Sequence, residues 1–457
     1  MRLLDARRVH FVGVGGAGMS AIAKVLLERG FVISGSDLKS SRAATMLEAM
    51  GATVHLGHDA VHVDGADVVV ISSAIPPQNP EVVRARELGI EVVGRGEALA
   101  ALLEEGDAVV VAGTHGKTTT TSMIVTILRS AGRDPSYLVG GGLNDAGTNA
   151  RSGTDPLTVA ESDESDGSFL LLRPTVAVVT NVESDHLDHW GDFDAIRAAF
   201  AQFVGSIKPQ GAAVLPAGSD LAAAPPSGVS VTTFGDGAAV RATDVEATPR
   251  GLQFALEHEG RGVRVALRVH GANIVSNALA AAGAGLAAGL SLAEVAEGLR
   301  QFGGVERRFQ SRGTVRGVTV IDDYAHHPTE VRELLKAARA GGWKRVVAVF
   351  QPHRYSRTRA LHRDFGPAFS GADVVIVTDV YGAGELPVPG VSGKLVADAV
   401  AERLPGRRVA YLPHRAELMG YLTRTVRSGD AVLTLGAGDI TLVGEELVGE
   451  LRAAGED

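Results

Sequence analysis

The chain of 457 residues contains no cysteine. That excludes disulfides, thiolate metal sites and cysteine nucleophiles, and it suits a reducing cytoplasm. Net charge is −9 and no basic block stands out, which disfavours nucleic-acid binding. The opening Met1-Arg-Leu-Leu-Asp-Ala-Arg-Arg8 carries no signal-peptide apolar core before the first strand. The longest uncharged apolar stretch, Val275 to Ala293, is mostly Ala and Gly and includes Ser276 and Asn277. It reads as packed helices, not as a membrane span. No repeat of solenoid period and no low-complexity tail occurs. Lysine is scarce, and none lies between residues 118 and 207.

What remains is a globular chain. Hydrophobic content of 45% with 21% charged residues describes a soluble protein too long for one core, roughly two to four domains. Apolar runs alternate with helical patterns from end to end. Val9 to Val14 reads as a strand, Met19 to Arg29 as a helix closed by Gly30, and Phe31 to Gly35 and Asp67 to Ile71 as strands. This rhythm implies parallel sheets with helical crossovers. It restarts at Ala108 and again near Val318. Val214 to Thr232, rich in Pro, Ala, Gly and Ser, reads as a surface excursion. Residues 240–269 alternate apolar and polar (Leu252, Phe254, Leu256; Val263, Val265, Leu267, Val269), as antiparallel strands do. A boundary falls near Phe302 to Phe309, and later strands are expected at 318–322, 346–350, 373–378, 408–412 and 431–435.

Three constellations carry chemistry. In the first, an apolar strand at Val109 to Ala112 enters Gly113-Thr-His-Gly-Lys-Thr118 and a helix follows. That is the layout of a nucleoside-triphosphate phosphate loop. Backbone N–H groups from Gly113 to Thr118 would wrap phosphate oxygens at a helix N-terminus. Lys117 would reach the outer phosphates and the Thr118 hydroxyl would hold magnesium. The strict loop pattern places Gly at position 111, where this chain has Val111. Beyond the loop, Glu161-Ser-Asp-Glu-Ser-Asp166 follows a strand, and Thr175 to Asn181 leads to Asp185, His186 and Asp188. Strand-end acids beside a phosphate loop suit magnesium; Asp163, Glu164 and Asp166 suit a solvated acidic loop equally well.

The second is Gly13-Val-Gly15-Gly16-Ala-Gly18 after the first strand, with Asp37 after the next and Ser72 at the end of another. Such glycines admit a diphosphate at a helix N-terminus, and the acid suits a ribose. The ligand could be NAD, FAD or a UDP-sugar. The third is Asp322-Asp-Tyr-Ala-His-His-Pro-Thr-Glu330 with Gln351-Pro-His-Arg-Tyr-Ser-Arg357, two strand-end loops. Paired histidines followed by arginines suit a carboxylate substrate.

With these segments assembled, the whole chain resembles the Mur ligases, the ATP-dependent amino-acid ligases of bacterial cell-wall precursors. The His-His-Pro and Pro-His-Arg-Tyr segments resemble the branch that adds L-alanine. The resemblance implies three α/β domains: a Rossmann-like UDP-sugar-binding domain (1–105), a central P-loop ATPase-type domain with a small antiparallel subsheet (106–307), and a Rossmann-like C-terminal domain for the amino acid (308–457). It implies that L-alanine is joined to the lactyl carboxylate of UDP-N-acetylmuramate through an acyl phosphate, in a cytoplasmic monomer or homodimer.

Residue by residue, it implies that Gly113, Thr114, His115, Gly116, Lys117, Thr118 and Thr119 bind ATP, with Asn277, Arg308 and Asp323 near it. Thr118, Glu161 and His186 would hold Mg2+. Gly15, Gly16, Gly18, Asp37 and Ser72 would take the UDP-sugar. Tyr324, His326, Arg354 and Arg357 would take alanine. Lys117, His186 and Arg308 would act on the reacting groups, and His326 or His327 would serve as a base or simply bind the carboxylate. The carbamylated lysine of some relatives has no counterpart here. The family's Gly-x-His-Asn-x-x-Asn is replaced by Gly271-Ala-Asn273-Ile274-Val-Ser-Asn277, which leaves Asn273 as the nearest substitute. Competing readings are a recycling ligase that adds a tripeptide, a folylpolyglutamate synthetase, and an NAD- or nucleotide-sensing regulator. The glycine-rich start and the 322–330 segment argue against the second. The joint presence of Lys117, Thr118, Glu161 and His186 argues against the third.

Overall fold

The computed structural model describes residues 3–142, 148–185, 187–248, 251–269 and 273–454. Strands β1 (Arg8–Val12), β2 (Val32–Asp37), β3 (Thr53–Leu56), β4 (Val68–Ile71) and β5 (Glu91–Gly94) form an all-parallel sheet in the order β3-β2-β1-β4-β5. A central sheet contains β6 (Asp107–Ala112), β7 (Ser136–Leu138), β8 (Ala150–Arg151), β9 (Leu157–Glu161), β10 (Val176–Val179), β11 (Ala212–Pro216), β12 (Ser230–Phe234), β13 (Val240–Thr248), β14 (Gly251–His258) and β15 (Arg261–Leu267). Its order is β15-β14-β13-β12-β11-β10-β6-β9-β7-β8. The last sheet contains β16 (Gln310–Val315), β17 (Val318–Asp323), β18 (Arg345–Phe350), β19 (Val374–Val377), β20 (Arg408–Tyr411) and β21 (Asp430–Leu435), in the order β16-β17-β21-β18-β19-β20. This is a three-domain α/β fold.

The chain divides into two compact units. One spans Met1–Val245, Phe254–Ala266 and Val275–Gly303; the other spans Glu246–Gln253, Leu267–Ile274 and Gly304–Asp457. No helix among the described residues is long and apolar enough to cross a membrane.

The parallel strands read as unbroken Val and Ala runs because both of their faces are covered. Val109, Val110 and Val111 of β6 and Val176 to Val179 of β10 are buried. The alternation seen at 240–269 becomes β13 to β15. Its apolar members Phe254, Leu256, Val265 and Leu267 face inward. Glu259 (φ 50°) and Gly260 (φ 74°) connect β14 to β15. Two successive positive φ values make the tight turn whose twist matches antiparallel strands.

Two expectations need correction. Val214 to Thr232 is not one surface excursion. Val214 and Leu215 are buried in β11, and Ser230 to Thr232 lie in β12. The Pro- and Gly-rich stretch between them misled because it flanks short strands whose own residues are few. The sequence also gave no signal for β16, which pairs antiparallel with β17. Its register shifts between Ser311 and Gly313, which has φ 143°. A bulge breaks the two-residue alternation that would mark a strand.

Candidate active site

Three neighbouring parallel strands, β9, β6 and β10, end together. The segments that follow them therefore share one edge of the sheet, where α/β sites form. After β6, Gly113 (φ 139°) and Gly116 (φ 81°) turn the chain. A Cβ on Gly113 would collide with Thr180 Oγ1, and one on Gly116 with Asn277 Oδ1. The helix Lys117–Ser130 follows without a side-chain cap, which leaves its first N–H groups for an anion. Its first turns are threonines, poor helix formers. Thr121 and Ser122 satisfy their hydroxyls within the helix by donating to the carbonyls of Lys117 and Thr118 at 2.9 and 2.7 Å.

The side chains interlock. Lys117 Nζ donates to Gly113 O at 2.5 Å, to Thr114 O at 3.2 Å and to Glu164 Oε1 at 2.7 Å. Glu164 is buried. Burial pushes its carboxyl up, against the pull of Lys117. Thr118 Oγ1 donates to Glu161 Oε1 at 2.9 Å, and the N–H of Gly140 donates to Glu161 Oε2 at 2.6 Å. From β10, Asn181 grips His115 twice: its Oδ1 accepts the His115 N–H and its Nδ2 donates to His115 O, both at 2.9 Å. Thr114 donates its N–H to Asn181 O at 3.1 Å. Thr119 and Asn277 are buried.

In the first sheet, the Gly13 to Gly18 turn also sits at strand ends. Asp37 Oδ2 accepts the Gly15 N–H at 2.9 Å, and Asp37 Oδ1 accepts the Lys39 N–H at 3.2 Å. Gly16 begins the helix Ala17–Glu28 without a side-chain cap. A Cβ on Gly13 would lie 3.3 Å from Ser72 Oγ, so Ser72 faces the glycine turn. Gly18 has another neighbour. A Cβ there would lie 3.0 Å from Arg95 Nη1.

In the second unit, β21 lies between β17 and β18, which brings the loops after β17 and β18 to one edge. Asp323 is buried; it accepts N–H groups of Phe309 at 2.7 Å and Ala325 at 2.8 Å. Burial raises its pKa to about 6, against the opposing charge of Arg308 and these two N–H groups. Arg308 lies over the Tyr324 ring at 5.3 Å. Tyr324, His326, His353 and Tyr381 form a ring cluster with successive centroid distances of 5.4, 5.6 and 5.7 Å. Burial lowers the pKa of His326, and that of His353 falls to about 3 through burial and the neighbouring His326, Arg357 and Arg354, each of which disfavours a second positive charge. Arg354 has φ 68° and donates its N–H to Tyr381 O at 2.8 Å. His327 is the N-cap of the helix Pro328–Ala340, where its Nδ1 accepts the Thr329 N–H at 3.4 Å.

His186 lies outside the described residues, as do Gly271 and Ala272. Asn273 is exposed, Ile274 starts the helix Ile274–Ala287, and Asn277 of that helix reaches Gly116. Sequence reasoning missed two residues at this site. Asn181 carries no role in the sequence reading, although its position just after β10 is a signal for one. Arg95 had none. Its guanidinium binds Asp163 and Asp166 at 2.9 and 3.0 Å, a pairing across the chain that no spacing announces. It also turns the two acids from a solvated loop into ion-pair partners.

The donors fit magnesium with a nucleotide. Thr118 and Glu161 offer adjacent hard oxygens. Among the described residues, no group of three or more acidic or histidine side chains would hold a metal alone. Magnesium commonly takes one or two carboxylates plus substrate phosphates, and the uncapped loop supplies a place for those phosphates.

A phosphate loop whose lysine and threonine meet strand-end carboxylates, in a chain with two further parallel-type sheets, defines a nucleotide-dependent class of enzyme. Family models match in succession along the chain: the Mur ligase family catalytic domain over residues 8–106, the Mur ligase middle domain over 111–285, and the Mur ligase glutamate ligase domain over 307–438. The UDP-N-acetylmuramate–L-alanine ligase of Rubrobacter xylanophilus is 49% identical over 97% of this chain and 100% of its own length. The crystal structure of UDP-N-acetylmuramate–alanine ligase from Thermotoga maritima superposes with a TM-score of 0.84, at 30% identity over 98% of this chain and 99% of that one. A murein peptide ligase from Psychrobacter arcticus shares the fold, with a TM-score of 0.73 at 24% identity over 97% of this chain and 98% of its own. The chain belongs to the Mur ligase family.

Proposed function

We propose that this protein is an ATP-dependent ligase that joins L-alanine to UDP-N-acetylmuramate in peptidoglycan synthesis, working in the cytoplasm. The observation that carries the reading is the full-length likeness to UDP-N-acetylmuramate–L-alanine ligase, 49% identical along the whole of that relative. On this reading residues 1–105 hold the UDP-sugar, 106–307 the ATP and 308–457 the amino acid.

The γ-phosphoryl of ATP passes to the lactyl carboxylate, the alanine amine attacks the acyl phosphate, and phosphate leaves as the amide forms. The loop 113–118 orients the phosphates, and Lys117 exchanges its Glu164 contact for phosphate oxygen. Thr118 and Glu161, with His186, would hold magnesium, which would supply neutralisation of the phosphate charge. His326, held neutral by burial, faces the arriving amine or carboxylate, and Arg354 and Arg357 grip the carboxylate. Asn277, Arg308 and Asp323 serve the nucleotide.

The test is phosphate release by purified protein with UDP-N-acetylmuramate, ATP and magnesium. L-alanine is compared with glycine, L-serine and the cell-wall tripeptide. Release with L-alanine is expected; release with the tripeptide and not with alanine overturns the assignment.

A further inference from the structure

Arg95 begins the helix Arg95–Glu104, directly after β5 of the first sheet. Its guanidinium nevertheless serves the central sheet. Nη2 lies between Asp163 Oδ2 at 2.9 Å and Asp166 Oδ2 at 3.0 Å, and the side chain is 21% exposed. The other oxygens of the two acids hold the turn that carries them. Asp163 Oδ1 accepts the Ser165 N–H at 3.0 Å and the Ser165 hydroxyl at 2.6 Å; Asp166 Oδ1 accepts the Ser168 N–H at 3.0 Å. One cation thus fastens the outside of a turn that is wound around two carboxylates. Burial alone would raise the Asp163 pKa, but Arg95 and Ser165 hold it below the usual range.

Glu161, the last residue of β9, meets Thr118, and the turn that follows it directly presents Glu164 to Lys117. Two glycines clear the way for Arg95 and its helix. A Cβ on Gly18 would meet Arg95 at 3.0 Å, and one on Gly96 would meet Ser168 Cβ at 2.5 Å. Arg95 and Lys117 also line one cavity of about 260 Å3, together with Gly140, Glu161 and Asp163.

We propose that Arg95 is a positioning residue for phosphoryl transfer. By binding Asp163 and Asp166 it fixes turn 162–168, and the turn holds Glu164 against Lys117, next to the Glu161 that ends β9 and meets Thr118. The proposal rests on the ligase reading for what the loop transfers. It adds that the domain assigned to the sugar nucleotide supplies a cation which sets the nucleotide's own ligands. Nη2 makes both contacts, so a lysine ammonium keeps the charge but loses the fixed direction of the planar guanidinium.

The experiment measures MgATP binding by calorimetry, and ATP and UDP-sugar KM values, for R95A, R95K, D163N/D166N and the R95A/D163N/D166N combination, each checked for folding by circular dichroism. R95A and D163N/D166N are each expected to weaken MgATP binding about tenfold, and the combination no further, the coupling expected of groups acting as one unit. R95K should recover part of the loss, and UDP-sugar affinity should fall less than MgATP affinity, because Arg95 meets that site only through its packing on Gly18. Losses that add, unchanged MgATP binding in R95A, or an R95A defect confined to the UDP-sugar overturn the proposal. If wild type binds MgATP but makes no alanine-dependent phosphate, the ligase reading fails alone, since the binding cycle still judges Arg95.

Discussion

Glu81 and Asp323 are both buried carboxylates, one in each compact unit, and their surroundings hold them in opposite states. Glu81 Oε1 accepts from His62 Nδ1 at 2.7 Å and lies 3.6 Å from His10 Nε2; its Oε2 accepts from the Ser36 hydroxyl at 2.6 Å and lies 3.0 Å from His58 Nδ1. Burial would raise its pKa, but the facing His10, Ser36 and His62 outweigh it and bring it to about 2. Asp323 has two backbone N–H groups and a more distant Arg308, and burial wins, at about 6. The sites repeat the contrast. Around the phosphate loop each buried charge has a close counter-charge: Lys117 with Glu164, Arg95 with Asp163 and Asp166. At the ends of β17 and β18, histidine rings are held neutral, and the buried His353 Nδ1 has no hydrogen-bond partner among the described residues. On the proposed reading, the region assigned to the polyanion keeps its ions, and the region assigned to the small zwitterion keeps neutral groups that can accept a proton or a hydrogen bond.

The contrast breaks most sharply at Lys117. Lys117→Ala should lower turnover roughly a thousandfold or more, as loss of a phosphate-stabilising cation does, while UDP-sugar binding survives. Calorimetry with the UDP-sugar checks the second half, and a collapse there would make the two ligands inseparable. Next comes Arg354→Ala. It should raise the alanine KM about ten- to a hundredfold, the worth of a charge-assisted contact, and leave the ATP KM unchanged. Equal effects on both would remove its assignment to the carboxylate.

The two buried acids predict smaller effects of opposite sign. Glu81 has a depressed folded pKa, so its stabilisation is full above the unfolded value of 4.5 and is lost as pH falls toward about 2. Asp323 binds its proton more tightly folded than unfolded. Its contribution is therefore full below 3.8 and is lost as pH rises through about 6. Urea unfolding of Glu81→Gln and Asp323→Asn across pH 3–7 should remove slopes of opposite direction, each worth on the order of 2 kcal/mol. Slopes of the same direction would show that the two surroundings do not differ as described.

Much of this was legible in the sequence, and for physical reasons. Lys117, Thr118 and Glu161 stand directly after apolar strand runs, so local pattern alone put them at one sheet edge. Asn277 was flagged only through the resemblance to the Mur ligases' Gly-x-His-Asn-x-x-Asn; the Ala-rich run by itself placed it on a helix. Arg95 was invisible because its partners lie 68 and 71 residues away, and only the packing of one helix onto another sheet joins them. The adjacent His326 and His327 read alike, yet one ring joins the aromatic cluster while the Nδ1 of the other accepts from the first turn of a helix. Strand β16 was hidden by the bulge beside Gly313 that breaks its alternation.

Gly18 has a consequence for transplanting parts between relatives. In the glycine fingerprint it looks like an element of the sugar-nucleotide turn alone, yet the space it leaves is filled by Arg95. A chimera carrying the first sheet of one relative and the central sheet of another would inherit the fingerprint intact and still be mismatched. Gly18, Arg95 and Gly96 on one side and Asp163, Asp166 and Ser168 on the other form a single heritable fitting, and they must be exchanged together.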